Sequence, residues 1–343
     1  MTQTRSHMAA EIAETPEIVA RFLDRERAGA AEIGRRLRAL DPAVIVTCAR
    51  GSSDHAAAYF KYLVEIHLGV PVASIGPSVA SIYHAPLRLR SAAVVSVSQS
   101  GQSPDIVALQ AAARQAGALA LSVVNQAGSP LSTEADVTLL LHAGEEKSVA
   151  ATKSCVASAV ALAAVLAEWS SDAALRDAVL RLPETLHAAL SCDWSAALPA
   201  LQAAQSAYVV GRGPALPIAA EAALKLKETA VLHAEAFSGA EVMHGPLQLL
   251  ETGFPVLVFR QRDAAAPGID QAVSRLRAVQ GRVFVASPDA GGLDALPSVA
   301  TGHGSLDPLA MLLSFYTLAE QVARARGHDP DRPSHLRKVT ETV

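Results

Sequence analysis

Short apolar runs, each bounded by glycine or a polar turn and each followed by a helical pattern, constrain this chain most. Ala43 to Cys48, Val70 to Ile75, Ala92 to Val97, Ala118 to Val124 and Val137 to Leu141 show almost no polar alternation. Strands of a parallel sheet covered on both faces read in this way. The patterns between them, such as His55 to Leu68 ended by Gly69 and Pro104 to Ala116 ended by Gly117, read as the covering helices. The expectation is a doubly wound α/β sheet. The second half repeats the opening, because Ala207 to Val210 leads into Gly211-Arg212-Gly213 and a long helix, as the first strand leads into Ala49-Arg50-Gly51. Pro255 to Phe259 and Arg282 to Ala286 continue the strand pattern, and Pro308 to Ala325 reads as a last helix.

Two related α/β domains are therefore expected, and 343 residues suffice for two cores. The expected organisation is an N-terminal helical segment over 1–40, a first domain over 41–182, a helical linker over 183–205 carrying Pro183 and Pro199, a second domain over 206–330, and a tail over 331–343.

Half of the residues are hydrophobic and only 4% are aromatic, which suits closely packed, alanine-rich helices on sheets. A net charge of -4 offers no footprint for nucleic acid or an anionic membrane, so a small molecule is the expected partner. Cys48, Cys155 and Cys192 are isolated and odd in number, which encodes neither a disulfide framework nor a zinc site and suits the reducing cytoplasm. The N-terminus lacks the apolar core of a signal peptide. The most apolar segment, Cys155 to Leu166, is short and alanine-rich for a membrane span.

Chemistry concentrates first in Glu221 to Pro246. Glu221, Lys225 and Glu228 recur at i, i+4 and i+7 on one helical face. A charged stripe of this kind is ordinarily a solvated face. Here His233, Glu235, Glu241 and His244-Gly245-Pro246 follow in a turn-rich segment, and these groups exchange protons near neutral pH. His233 itself reads as a packed histidine at a helix end, and Lys227 lies off the stripe.

Anion binding is suggested elsewhere. The third strand leads into Ser96 to Asp105, a hydroxyl-rich loop that opens a helix with Ser103 as N-cap and Pro104 as first helical residue. Such a loop aims backbone N–H groups and hydroxyls at one point where the helix dipole favours negative charge. The first strand delivers a second loop, Arg50-Gly51-Ser52-Ser53-Asp54, to the same carboxyl edge. Neither loop is a Walker A or GxGxxG motif, so a phosphorylated small molecule is expected rather than a nucleotide.

The segments ARGSSDH, SQSGQSPD, EEKSVAATKS, GRGPALPIAAEAALKLKE, HAEAFSGAEVMHGPL and DPDRPSHLRKVTETV, in this order, resemble the tandem sugar-isomerase (SIS) domain module of glucosamine-6-phosphate synthase. The resemblance runs from about residue 40 to the end. It implies two SIS domains, each a doubly wound, flavodoxin-like, mainly parallel five-stranded sheet flanked by helices. No glutaminase domain with a leading nucleophilic cysteine is found in this sequence. The variants RGSSDHA, SQSGQSPDI and AGEEKSVAATKS look most like the stand-alone SIS-type glucosamine-6-phosphate deaminases.

By this resemblance Ser53, Ser98, Gln99, Ser100 and Ser103, with the Gly51-Ser52 turn, hold the sugar phosphate, and the backbone near Val149 and Ala151 meets the sugar. Ala151 stands where the synthase pattern has serine. Glu228 matches the general base, Glu221 and Lys225 its supporting charges, His244 the ring-opening residue and Lys338 the lysine that meets the open-chain sugar. The implied protein is a homodimer with the active site near the subunit interface, His244 reaching the partner's pocket, and it needs no cofactor or metal.

The roles are chemically coherent. Ring opening moves a proton between ring oxygen and anomeric hydroxyl, which an imidazole can do, and a C2 to C1 proton shift needs one base on a rigid support. Aldose–ketose isomerisation, galactosamine-6-phosphate deamination and fructosamine-6-phosphate deglycation differ by one substituent that spacing does not report. A non-catalytic sugar-phosphate sensor is the alternative of another class. Glu145, Glu146, Lys147 and Lys153 fit either a solvated loop or a lid.

Overall fold

The structure, a computed structural model, describes residues 5–338. By their internal contacts these residues form two compact units. One comprises Glu17–Glu146 and Lys153–Leu180; the other comprises the residues up to Pro16, Lys147–Thr152 and Arg181–Lys338. The first helix, α1 (His7–Leu40), contributes to both and runs through Pro16.

In the first unit, β1 (Ile45–Cys48), β2 (Val72–Ser74), β3 (Ala93–Ser98), β4 (Leu119–Val124) and β5 (Val137–Leu140) form one parallel sheet in the order β2-β1-β3-β4-β5. Ile45 pairs with Ala93 and Cys48 with Ser96, so β1 and β3 end side by side. The connections are α2 (Ser52–Leu68), α3 (Ser78–Ser81), α4 (Pro104–Gln115) and α5 (Pro130–Thr133), followed by α6 (Lys153–Ser170) and α7 (Ala173–Leu180). The strands are continuous apolar runs because helices cover both faces; every residue of β1 and β3 is buried. The helix α6 reaches a mean hydropathy of 1.3 and is long enough to cross a membrane, but 89% of it is buried inside the fold, chiefly on its Ala and Val side chains. Its apolar character is thereby accounted for by packing, over a longer helix than Cys155 to Leu166.

The second unit adds α8 (Leu182–Ala189), α9 (Leu198–Ala203), β6 (Ser206–Gly211), α10 (Ala215–Ala230), β7 (His233–Ser238), β8 (Pro255–Phe259), α11 (Ala266–Ala278), β9 (Arg282–Ser287), β10 (Ala295–Pro297) and α12 (Asp307–Ala325). Its sheet order, β7-β6-β8-β9-β10, is the order of the first sheet repeated. Both sheets are parallel throughout. Trp194, in the stretch expected as a linker, is 3% exposed; its indole N–H donates to the Pro297 carbonyl at 2.8 Å and its ring packs on Phe259 and Phe315.

Three local expectations change. Residues 233–238 are an edge strand rather than a turn, so His233 starts a strand and is exposed. Ala and Glu, good helix formers, hide the His-Ala-Glu-Ala alternation that the pairing with β6 selects. The helix α2 begins at Ser52, three residues before His55, which places Ser52 and Ser53 in its first turn. The short edge strand β10 has no apolar run long enough to announce it.

Gly34 marks a close approach of α1 to α6. A Cβ there would lie 2.8 Å from the Glu168 carbonyl carbon and 2.8 Å from the Trp169 nitrogen, both backbone atoms that have no rotamer to retreat into. Gly34→Ala should therefore destabilise the fold by about 1–3 kcal/mol, the usual range for overpacking. Urea unfolding measures this, and stability within about 0.5 kcal/mol of the parent would mean that the two helices separate freely.

Candidate active site

The loops after β1 and β3 emerge from neighbouring strands at the carboxyl edge of the first sheet, where doubly wound folds bind ligands. Gly51 precedes α2 with φ 54° and ψ -131°, and Ser52 and Ser53 occupy the first helical turn, whose N–H groups have no intrahelical acceptor. Ser98 closes β3, is 6% exposed, and its hydroxyl accepts the Gly101 N–H at 3.1 Å; the Ser100 hydroxyl accepts the Gln102 N–H at 3.2 Å. The Gln99 carbonyl accepts the Asn125 N–H at 3.1 Å, tying the loop to the end of β4. Gly101 has φ 64°, and a Cβ there would collide with the Ser129 hydroxyl, so only glycine allows this tight path. Ser103 is the N-cap of α4 and Pro104 its first residue, as expected, but the Ser103 hydroxyl makes no capping bond. The loop thus places several serines and free helix-start amides together.

A link between the two loops was not legible in the motifs. The Arg50 guanidinium pairs with Asp105, donating from Nε at 2.8 Å and from Nη2; Asp105 is 1% exposed in the first turn of α4. A carboxylate that would repel an anion at this helix start is thereby neutralised. Burial, with Asp105 and Asp54 adding negative charge, pushes the Cys48 thiol up to about 12, which makes it an inert core thiol. Burial also raises the Asp54 carboxyl above its usual value, against the partial opposing charge of His55.

In the second unit the helical stripe is not a solvated face. Glu221 and Lys225 are both fully buried. The Lys225 ammonium lies 3.4 Å from Glu221 Oε1 and donates to Glu228 Oε2. The Tyr316 hydroxyl, from α12, donates to Glu221 Oε1 at 2.9 Å. The i, i+4, i+7 spacing predicts the shared face, but Tyr316 lies 95 residues away and only the packing of α10 on α12 brings it there. The Glu228 side chain is 22% exposed, the open member of the set. Lys227 is exposed, off the stripe as expected.

The tail and the 147–152 loop belong to this same unit. Lys338 Nζ donates to the Ser148 carbonyl at 2.8 Å, and the Val149 N–H donates to the Asp331 carbonyl at 3.1 Å. The Val149 amide is therefore already engaged, and Ala151, two positions on, is half-buried. Tail residues 339–343 lie outside the described residues. Glu146, in the other unit, is 4% exposed and caps α6, accepting from the Ser154 N–H at 3.2 Å and the Ser154 hydroxyl at 2.7 Å. Lys153 is 3% exposed, whereas Glu145 and Lys147 are exposed. His244 ends a 3₁₀ turn after β7 and is exposed. No hydrogen bond ties its ring to Glu228 or Lys338 among the described residues. A cavity of about 720 Å³, lined by Tyr208, His233, Glu235, Phe254 and Arg282, opens at the amino ends of β6 to β9 and includes none of the expected site residues.

Removing the ammonium would take away the positive charge that lies between two carboxylates, one of them wholly buried. Lys225→Met should cost about 3–5 kcal/mol, the range for breaking a buried ion pair from one side. Denaturant unfolding against the parent reads this directly, and a loss below about 1 kcal/mol would mean that water reaches Glu221.

The SIS domain family matches residues 41–167 and 200–286. A glutamine–fructose-6-phosphate aminotransferase (isomerizing) from Leifsonia xyli is 34% identical over 97% of the chain, which spans 58% of that enzyme's length, less than two thirds. A solved structure of a presumed phosphosugar isomerase from Silicibacter pomeroyi shares 46% identity with a TM-score of 0.90, covering 95% of this chain and all of that one. The C-terminal domain of glucosamine-fructose-6-phosphate aminotransferase from Francisella tularensis has the same fold at 24% identity, with a TM-score of 0.84 over 96% of this chain and 99% of that one. With two matched segments and two parallel five-stranded sheets of identical order, the chain belongs to the SIS domain family and carries its domain twice in tandem.

Proposed function

We propose that the protein is a phosphosugar isomerase of the ammonia-releasing kind, converting glucosamine 6-phosphate to fructose 6-phosphate. The observation that carries this reading is the buried Lys225 between Glu221 and Glu228, which leaves one carboxylate partly open on a rigid helix. That arrangement suits a base which must move a proton between adjacent carbons without changing its own position. The names borne by the Silicibacter and Leifsonia relatives support a phosphosugar substrate. The motif variants of this sequence support the amine-releasing direction.

The chemistry requires a phosphate anchor and proton-transfer groups. Gly51, Ser52, Ser53, Ser98, Gln99, Ser100 and Ser103 are the proposed anchor, with helix-start amides adding to the hydroxyls. His244 moves the proton from the anomeric hydroxyl to the ring oxygen as the ring opens. Glu228 removes the C2 proton and returns it to C1, and Lys225 and Glu221 hold it in place. Lys338 and the backbone at Val149 and Ala151 meet the open chain. The ketose imine then takes up one water and releases one ammonia, so no electrons enter or leave. The proposal includes a homodimer, supported by the exposure of His244 on its own chain, and a reducing cytoplasmic setting, which suits three cysteines isolated in sequence.

Incubation of the purified protein with glucosamine 6-phosphate should yield ammonia and fructose 6-phosphate in equal amounts. If neither forms while another phosphosugar turns over, the substrate is wrong; binding of phosphosugars with no turnover of any would make the protein a sensor. Glu228→Gln should lower kcat by about 10²–10⁴-fold, the usual range for a positioned general base, with little change in sugar affinity. Equal turnover in that variant would reduce Glu228 to a structural charge. Replacing Ser98 and Ser100 by alanine should raise KM by roughly tenfold or more, since each hydrogen bond to a charged group contributes about 1.5–3 kcal/mol. An unchanged KM would remove this loop from the site.

A further inference from the structure

Three stretches distant in sequence meet at the start of α1 in the second unit. Glu11 lies in the second turn of α1 and is 4% exposed. Its carboxylate accepts the backbone N–H of Lys147, and that of Ser148 at 3.4 and 3.3 Å from its two oxygens. The next peptide is held at both ends. Its carbonyl, that of Ser148, accepts from Lys338 Nζ at 2.8 Å, and its N–H, that of Val149, donates to the Asp331 carbonyl at 3.1 Å. The Asp331 carboxylate completes the arrangement by accepting the N–H groups of His7 and Met8, each at 2.8 Å, in the first turn of α1.

A carboxylate removed from water at such a position is unfavourable unless it is used, and here it is used on two consecutive amides of a segment without regular secondary structure. Because a peptide unit is planar, the Ser148 carbonyl turns together with the Val149 N–H, and fixing the preceding amide at Ser148 N–H leaves only the φ and ψ of Ser148 to aim that carbonyl. That carbonyl is the acceptor of the Lys338 ammonium. The sequence gives no sign of this link, since 136 residues separate Glu11 from Lys147.

We propose that Glu11 is a positioning residue for the reaction: it orients the Ser148–Val149 peptide and through it the ammonium of Lys338. Asp331 serves the same clasp from the tail, anchoring it to the start of α1. The inference rests on the proposed substrate contacts of Lys338 and the Val149–Ala151 backbone. Glu11 touches neither substrate nor any reacting atom, and its effect is on geometry.

The test combines kinetics on glucosamine 6-phosphate with amide hydrogen exchange for the parent, Glu11→Ala, the isosteric Glu11→Gln and Asp331→Asn. Glu11→Ala should lower kcat about 10- to 100-fold, as small misplacements of a substrate-contacting group do, while KM changes by less than about threefold. Peptides covering residues 143–152 and 329–338 should exchange about tenfold faster, with no change in peptides from either sheet. Glu11→Gln, which keeps an acceptor oxygen but no charge, and Asp331→Asn should fall between. A parental kcat in Glu11→Ala overturns the proposal, and so does a loss of kcat accompanied by faster exchange throughout both sheets, which would mark a merely structural residue. Should the parent protein not turn over the sugar at all, the functional reading fails separately. The exchange data then decide the clasp, and unchanged protection of both segments in Glu11→Ala sinks it.

Discussion

An ammonium group with no access to water organises the second unit. Lys225 is fully buried and has to be neutralised where it lies, which Glu221 and Glu228, about one turn away on the same face of α10, do. Such a triad adds little net stability over an apolar core, because desolvation offsets most of the attraction. What it confers is direction. Glu221 is held by Lys225 and by the hydroxyl of Tyr316, and Lys225 in turn holds Glu228, so even the least buried of the three charges is tethered. A carboxylate fixed in this way, on a helix packed against α12 and β7, needs no rearrangement to accept a proton and return it.

The first unit solves a different problem with the same sheet order. Its strands converge so that two turns, one after β1 and one after β3, share an edge, and hydroxyls and free amides are concentrated there. An adverse charge at that edge, Asp105, is paired with Arg50 from the neighbouring turn. The two loops are thereby tied to each other as well as to the sheet.

Much of the fold was legible because parallel strands buried on both faces leave runs of apolar residues that little else produces. Residues 255–259 were read at their observed limits, and the other internal strands within about two residues. The exceptions were edge strands. Residues 233–238 carry helix-forming Ala and Glu, and their strand conformation comes from hydrogen bonds to β6 rather than from their own preference. The site divides similarly. The stripe Glu221, Lys225, Glu228 is a consequence of helical periodicity, and the serine loop of local turn chemistry, so both could be read in advance. Tyr316, the Arg50–Asp105 pair and the Glu11 clasp could not, because each joins residues at least 55 positions apart.

The sequence by itself determined the two repeated parallel sheets, the helix that carries the three charges, and the loops suited to a phosphate. Each of these follows from local periodicity and turn residues acting over a few positions. Only the tertiary structure decided that the charged stripe is buried rather than solvated, that Glu228 is its open member, and that the Ser148 carbonyl faces Lys338. Burial and hydrogen bonding between distant segments depend on which surfaces pack together, and that information is spread over the whole chain.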